Sequence, residues 1–419
     1  MVDYSDFREE LPDGLLRDKI REDRLKLQSI MQFLESRGLM KSLAILQAES
    51  QLDYNPTCLQ VGGMLDEAID TYAFRVLSLG LCSSEEKSIS EPGVCATELL
   101  IRIDAVHGES NPTCVAWHPS DSSFFATGGV DKKVIVRSLS GSTSVSVGEI
   151  SMPSPVLSIA WTQQVDGSCV IAAGCMGGEL LQINASIPSD LRIVSTCKPH
   201  GNCRVSKVTF SEKGTFLASA GKDPGVHIFR FDCSNYKHKK SATQRCERDV
   251  SAVCWIRDDT LVIAETDNPI LKIFHVGISH TSFIGSICMN LSIKDPITPY
   301  STLEMCWSAR HRLLLSCTSR NSALLFDVPD TFCATILPTK VFYGMSNGIY
   351  DFPCCEFSLD GSHVYISSDR EVIVFESKTG HIAFKLLAGV GKPVRGLSCS
   401  KDRDLLATVS FDKSLTLFH

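Results

Sequence analysis

The chain has 419 residues, 43% of them hydrophobic, and carries a net charge of -7 with a pI near 5.9. This balance gives no global electrostatic case for binding nucleic acid or an anionic membrane, and no apolar run approaches the roughly 18 residues that a membrane span needs. Many of the 18 cysteines replace Val or Ala inside strand-like runs (Cys114, Cys169, Cys254, Cys306, Cys317, Cys399), and the opening MVDYSDFREE lacks a basic, then apolar leader. They read as buried free thiols of a protein in the cytoplasm or nucleus.

Residues 1–14 show no periodicity and read as flexible. From Leu15 to Glu49 there is no proline, and apolar residues fall at helical spacing: Leu27, Ile30, Phe33 and Leu34, then Leu39, Leu43 and Leu46 after a break at Gly38. Met64 to Ile69 begins another helical stretch, so 15–79 reads as a helical module. Residues 80–96, containing Ser83-Ser84-Glu85-Glu86-Lys87-Ser88, read as a polar linker.

The run from Ile30 to Glu49 resembles a LisH motif, in its isoleucine, Phe-Leu, Gly-Leu, Ala and closing Glu. That resemblance implies a helix pair that dimerises through Ile30, Phe33, Leu34, Leu39, Leu43 and Leu46. Two short helices cannot bury their apolar faces alone, and a symmetric partner supplies the missing surface. A helical hairpin packed on the rest of its own chain is the alternative.

Beyond residue 97 the chain repeats. An apolar strand ends at Trp117, Trp161, Phe210, Trp255, Trp307, Phe357 and Cys399, successive positions lying 42 to 52 residues apart. Each copy continues with a polar turn, a second strand such as Phe124-Phe125-Ala126-Thr127, a tight turn and a third strand such as Val134-Ile135-Val136, with room for a fourth. That period fits the four-stranded blade of a propeller, about 40 to 45 residues long. The expected fold is mainly β, a seven-bladed propeller over 97–419. The seventh copy stops after its third strand, and an orphan strand precedes the first, so 98–103 is expected to pair with 414–418 and close the ring.

These copies resemble WD repeats, although the Trp-Asp ending survives only as Phe326-Asp327. The resemblance implies buried networks of His107, Thr127 and Asp131 in the first copy and His200, Ser219 and Asp223 in the third. The seventh keeps Thr408 and Asp412. Such networks satisfy buried polar groups and tie the loop before a blade to its second turn.

Signatures of chemistry are missing. Gly389-Val390-Gly391-Lys392 lacks the upstream Gly and the hydroxyl of a phosphate loop, and neither a Gly-x-Ser-x-Gly elbow nor a His-Glu-x-x-His pair occurs. Cys197, His200 and Cys203 have ligand-like spacing without a fourth partner. No catalytic residue, cofactor or metal is expected. Lys237-His238-Lys239-Lys240 is the densest basic run, read as a solvated loop between the third and fourth copies, with a nuclear signal as the alternative.

Propellers bind through loops. The residues before the second turns include Val130, Met176 and Phe411, which would form an apolar arc on the face that WD propellers call the top, or else tuck into the channel. The expected function is a non-catalytic scaffold or adaptor that dimerises and binds proteins or peptides. The alternative is a substrate-recognition subunit of a ubiquitin ligase or of a chromatin or transcription complex. Neither membrane nor direct nucleic-acid binding is expected.

Overall fold

The computed structural model describes residues 31, 46–47, 95–164, 166–232, 237–290, 301–332, 335–345 and 353–419. The chain divides into two compact units, Met1–Lys87 and Ser88–His419. In the first, Met31, Leu46 and Gln47 are helical. The other positions expected to dimerise, Ile30, Phe33, Leu34, Leu39 and Leu43, lie outside the described residues.

The second unit is built from seven four-stranded antiparallel sheets, a seven-bladed propeller. Blade 1 runs from the inside outward through Pro112–Trp117, Phe124–Gly129, Lys133–Ser140 and Thr143–Ser151. The inner strands of blades 2 to 6 are Val156–Gln163, Val205–Phe210, Val250–Arg257, Thr302–Ser308 and Cys355–Phe357, each followed outward by its own three strands. Blade 7 contains Val394–Cys399, Leu406–Ser410 and Leu415–Phe418, and takes its outer strand, Leu99–Ile103, from the start of the unit.

Ile103 pairs with Leu415, Arg102 with Thr416 and Ile101 with Leu417. The amides of Thr97 and Glu98 donate to the carbonyl of His419 at 2.8 and 2.9 Å. The two chain regions thereby close one blade, which removes the open edges they would otherwise present.

In six of the seven blades the turn between the second and third strands contains a left-handed residue, a conformation L-amino acids adopt at a cost. Lys132, Asp267, Asn321, Asp369 and Lys413 occupy it with φ of 50 to 70°, and Gly178 does so in blade 2. Asn and Asp tolerate this conformation better than most residues.

The core is distributed. The buried apolar side chains form seven clusters, one between each pair of neighbouring blades. Each inner-strand aromatic anchors one of these interfaces. The indole of Trp117 donates to Ser398 O of blade 7 at 3.0 Å, and that of Trp255 to Thr209 O of blade 3 at 3.2 Å.

The basic run at 237–240 departs from its expected place. It opens Lys237–Arg245, the outer strand of blade 3, rather than a loop. Its His238 is 2% exposed; the backbone amide donates to Gln182 Oε1 at 2.6 Å, and the ring Nε2 donates to Gly214 O at 2.7 Å. The two-residue period of a strand sets Lys237 and Lys239 on the face opposite the buried His238.

Candidate functional site

One backbone bond recurs on a single rim of the ring. In six blades the residue after the second strand donates its amide to the carbonyl just before its own inner strand: Val130 to Asn111 at 3.0 Å, Met176 to Pro155 at 2.8 Å, Lys222 to Arg204 at 3.2 Å and Phe411 to Pro393 at 3.1 Å. Thr266 and Ser319 do the same to Asp249 and Ser301 at 2.8 and 2.9 Å. The six side chains therefore hold equivalent places on blades 1, 2, 3, 7, 4 and 5.

Three of the six are apolar, on the consecutive blades 7, 1 and 2. Val130 is 45% exposed and Met176 55% exposed, while Phe411 is half-buried. Val390 adds a further apolar surface, 63% exposed, where its amide donates to Asp412 Oδ2 at 2.6 Å. This rim is the candidate functional site.

Beneath it lie two of the networks. His107 Nδ1 donates to Asp131 Oδ1 at 2.8 Å and its Nε2 meets Thr127 Oγ1 at 3.0 Å. His200 repeats the pattern with Asp223 Oδ1 at 2.6 Å and Ser219 Oγ at 3.0 Å. A carboxylate only accepts, so Nδ1 carries the proton and Nε2 accepts from the hydroxyl. Burial lowers the pKa of both imidazoles, against the opposing pull of Asp131 or Asp223. A Cβ on Gly129 or Gly221 would come within 2.5 or 2.8 Å of the imidazole, so the ring's seat requires glycine there.

Blade 7 is arranged differently from the pattern implied by its sequence. Thr408 Oγ1 donates to Thr416 O at 3.2 Å, and no bond joins it to Asp412. Asp412 accepts from the Ser414 amide at 3.0 Å, the Val390 amide at 2.6 Å and Arg102 Nη2 at 2.9 Å. Burial would raise this carboxyl, but the Ser414, Val390 and Arg102 bonds bring it down to about 2. With no histidine in this blade, the Asp caps its own turn and takes a cation from the closing strand.

The other blades tie their loops in further ways. In blade 2, Ser154 donates to Glu179 Oε2 at 2.8 Å and Lys198 pairs with Glu179 at 3.0 Å. In blade 4 the fully buried Glu265 accepts from Lys272 and Asn268 at 2.9 and 3.0 Å.

His227 was not visible as a site residue in the sequence; at its third-strand position blades 1, 2, 5 and 6 carry the apolar Ile135, Leu181, Leu324 and Ile373, and blades 4 and 7 the polar Lys272 and Thr416. Its ring meets that of His200 edge-on at 4.6 Å, and ligand-type atoms of His200, Asp223 and His227 lie within 4.8 Å of one another. His200 already spends both nitrogens on Asp223 and Ser219, and His227 Nδ1 bonds Thr243 Oγ1 at 3.1 Å. His200 and Asp223 are thus already bonded to each other, and His227 meets His200 only through the ring contact. Cys197 is half-buried on a blade 2 strand and Cys203 is exposed; neither joins this group.

Buried thiols offer little nucleophilic chemistry. Burial pushes Cys114, Cys169 and Cys354 up to about 11. Burial alone would also raise Cys355, but hydrogen bonds from the Cys306 and Cys317 thiols bring it down to about 6; it is 4% exposed between blades 5 and 6, beyond a substrate's reach. Two equivalent inner-strand positions bring Lys207 Nζ and Glu304 Oε1 to 2.6 Å, with the small Ala252 of blade 4 at the position between them.

Comparison with known families gives one match. The family described as WD domain, G-beta repeat matches residues 100–138 and 191–230. The matched segments begin in or just before an outer strand and end in the third strand of the next blade, and they coincide with blades 1 and 3, which hold the His networks. No curated protein gives a significant match. The chain therefore carries WD repeats in a seven-bladed propeller, a fold used in general as a protein-interaction scaffold.

Proposed function

We propose that this protein is a non-catalytic adaptor that seats a partner protein on the rim over Phe411, Val130 and Met176. The observation that supports this most directly is the exposure of Val130 and Met176 at equivalent places on neighbouring blades. Clustered apolar groups of this kind favour burial by a partner. The helical module at 15–79 is proposed to dimerise, so that each assembly offers two rims and gains avidity from a raised effective concentration at the second binding event.

Two experiments test the halves of this reading separately. Light scattering should give a dimer for the full chain and a folded monomer for a chain starting at Thr97; a monomer in both cases removes the bivalent mechanism. The double variant Val130→Asp/Phe411→Asp should keep the thermal transition of the parent while losing its partners in affinity capture. An unchanged set of partners removes the rim.

A further inference from the structure

The rim is not electrically uniform. In the loops of blades 7, 1, 2 and 3 every carboxylate is already engaged: Asp104 and Asp412 with Arg102, Glu109 with Lys413, Asp131 with His107, Glu179 with Lys198, and Asp223 with His200. Four exposed cations in the same loops, Lys132, Arg204, Lys222 and Lys392, make no ion pair among the described residues. The neutral imidazoles leave Asp131 and Asp223 charged, so with Arg102, Lys198 and Lys413 included the sector holds seven cations against six carboxylates, a small local positive excess in a chain of net charge -7.

The cations sit beside the apolar arc. Lys222 holds on blade 3 the place that Met176 holds on blade 2, and its amide is bonded to Arg204 O, which puts these two residues next to each other. Lys132 follows Val130 by two residues, and Lys392 lies two residues from Val390 in the loop that bonds Asp412. On blades 4 and 5 the equivalent rim places are Thr266 and Ser319, neither apolar nor charged.

We infer that this sector binds an acidic peptide segment of a partner protein, its apolar side chains over Phe411, Val130 and Met176 and its carboxylates against Lys222, Arg204, Lys132 and Lys392. The inference rests on the rim reading above and specifies its chemistry. Unpaired cations fix which partners are attracted and in which register, while the apolar arc supplies burial. Four cations spread over blades 7, 1 and 3 match scattered carboxylates better than the dense charge of a nucleic-acid backbone.

The test uses the full-length protein as bait for a random 12-residue peptide library, followed by fluorescence anisotropy on the enriched peptides. Enrichment of Asp or Glu together with Leu, Ile, Phe or Trp is expected, with Kd rising at least tenfold in Arg204→Glu/Lys222→Glu and falling back when acidic peptide positions are changed to Lys. Both substitutions are at exposed side chains, so an unchanged thermal transition checks folding. Neutral or basic peptides, no enrichment, or equal binding by the charge-reversed variant would overturn the inference. In the case of equal binding, loss in Val130→Asp/Phe411→Asp leaves the rim standing, whereas retention there removes the rim as well. A 20-nucleotide single strand is the control probe: if it binds and charge reversal abolishes that binding while peptides fail, the cations read phosphate and the peptide assignment falls.

Discussion

Blades 1 and 3 solve the same problem as blade 7 by different chemistry. All three must hold the loop leading into the blade against the turn between the second and third strands. Blades 1 and 3 do it with a buried imidazole, which needs a glycine beside it, Gly129 or Gly221. Blade 7 has no histidine, and its equivalent of that glycine is Ser410, whose hydroxyl donates to Pro393 O at 3.1 Å and Lys392 O at 3.2 Å in the incoming loop. Asp412 completes the arrangement through Val390 and Arg102. The comparison teaches that the turn aspartate is the common element and that its partner is replaceable, provided the backbone groups of the loop remain satisfied.

The strongest way to disturb this comparison is to open blade 7 altogether. Ile101→Pro interrupts the Ile101 to Leu417 pairing that closes the ring, and proline cannot supply a ladder donor. The ladder acceptor left unpaired costs on the order of 1 to 3 kcal/mol, and fraying of the closing strand adds to this, visible as a lower, broader urea transition. A transition like the parent's would mean that the closing strand contributes little.

His200→Ala comes next. It leaves Asp223 and Ser219 without their buried partner and should cost on the order of 1 to 3 kcal/mol. Gly221→Ala should have a similar direction, because the added Cβ meets His200 and the Arg204 carbonyl. Ser410→Gly in blade 7 has no imidazole to accommodate and should cost less than either. Equal losses in all three would remove the distinction between the blades. Chemical denaturation of the three variants decides it.

Acid should separate the two solutions. His107 and His200 are held below the ordinary imidazole value, so the unfolded chain takes up protons first. Stability is then lost as pH falls below about 6.5. Asp412 acts in the same direction in a lower window: its contribution is present above the unfolded carboxyl value of about 3.9 and is lost as pH falls through about 2. Melting curves between pH 7.5 and 5 should therefore flatten in a His107→Gln/His200→Gln variant and remain parallel to the parent in Asp412→Asn.

The smallest effect is expected from Arg102→Ala. Arg102 is partly exposed and bonds Asp412 beside two backbone donors, so its loss should cost about 0 to 1 kcal/mol and should shrink further in salt. A loss of several kcal/mol would instead make the ion pair, and not the backbone bonds, the element that closes blade 7.

Local pattern carried most of the fold. The aromatic near the end of six of the seven inner strands, the apolar third strands and the turn residues recur because every blade meets the same pleated surface on both faces. His107 with Asp131 and His200 with Asp223 were legible because their partners lie within one repeat, 24 and 23 residues apart. The rim positions Val130, Met176 and Phe411 were legible for the same reason, although only the structure separates the exposed Val130 and Met176 from the half-buried Phe411.

What the tertiary structure alone decided involves partners from different repeats. Arg102 reaches Asp412 across 310 positions, Lys207 reaches Glu304 across 97, and His238 bonds Gln182 across 56. No period links such residues, so no local pattern announces them. The basic run at 237–240 shows the limit: composition suggested solvent, yet pairing with Gly225–Asp232 made it a strand and turned one imidazole inward. The sequence determined the repeating unit, because strand periodicity and turn chemistry act over a few residues. The ring determined which charges are spent and which remain on the rim, because ion pairing depends on distances set by closure.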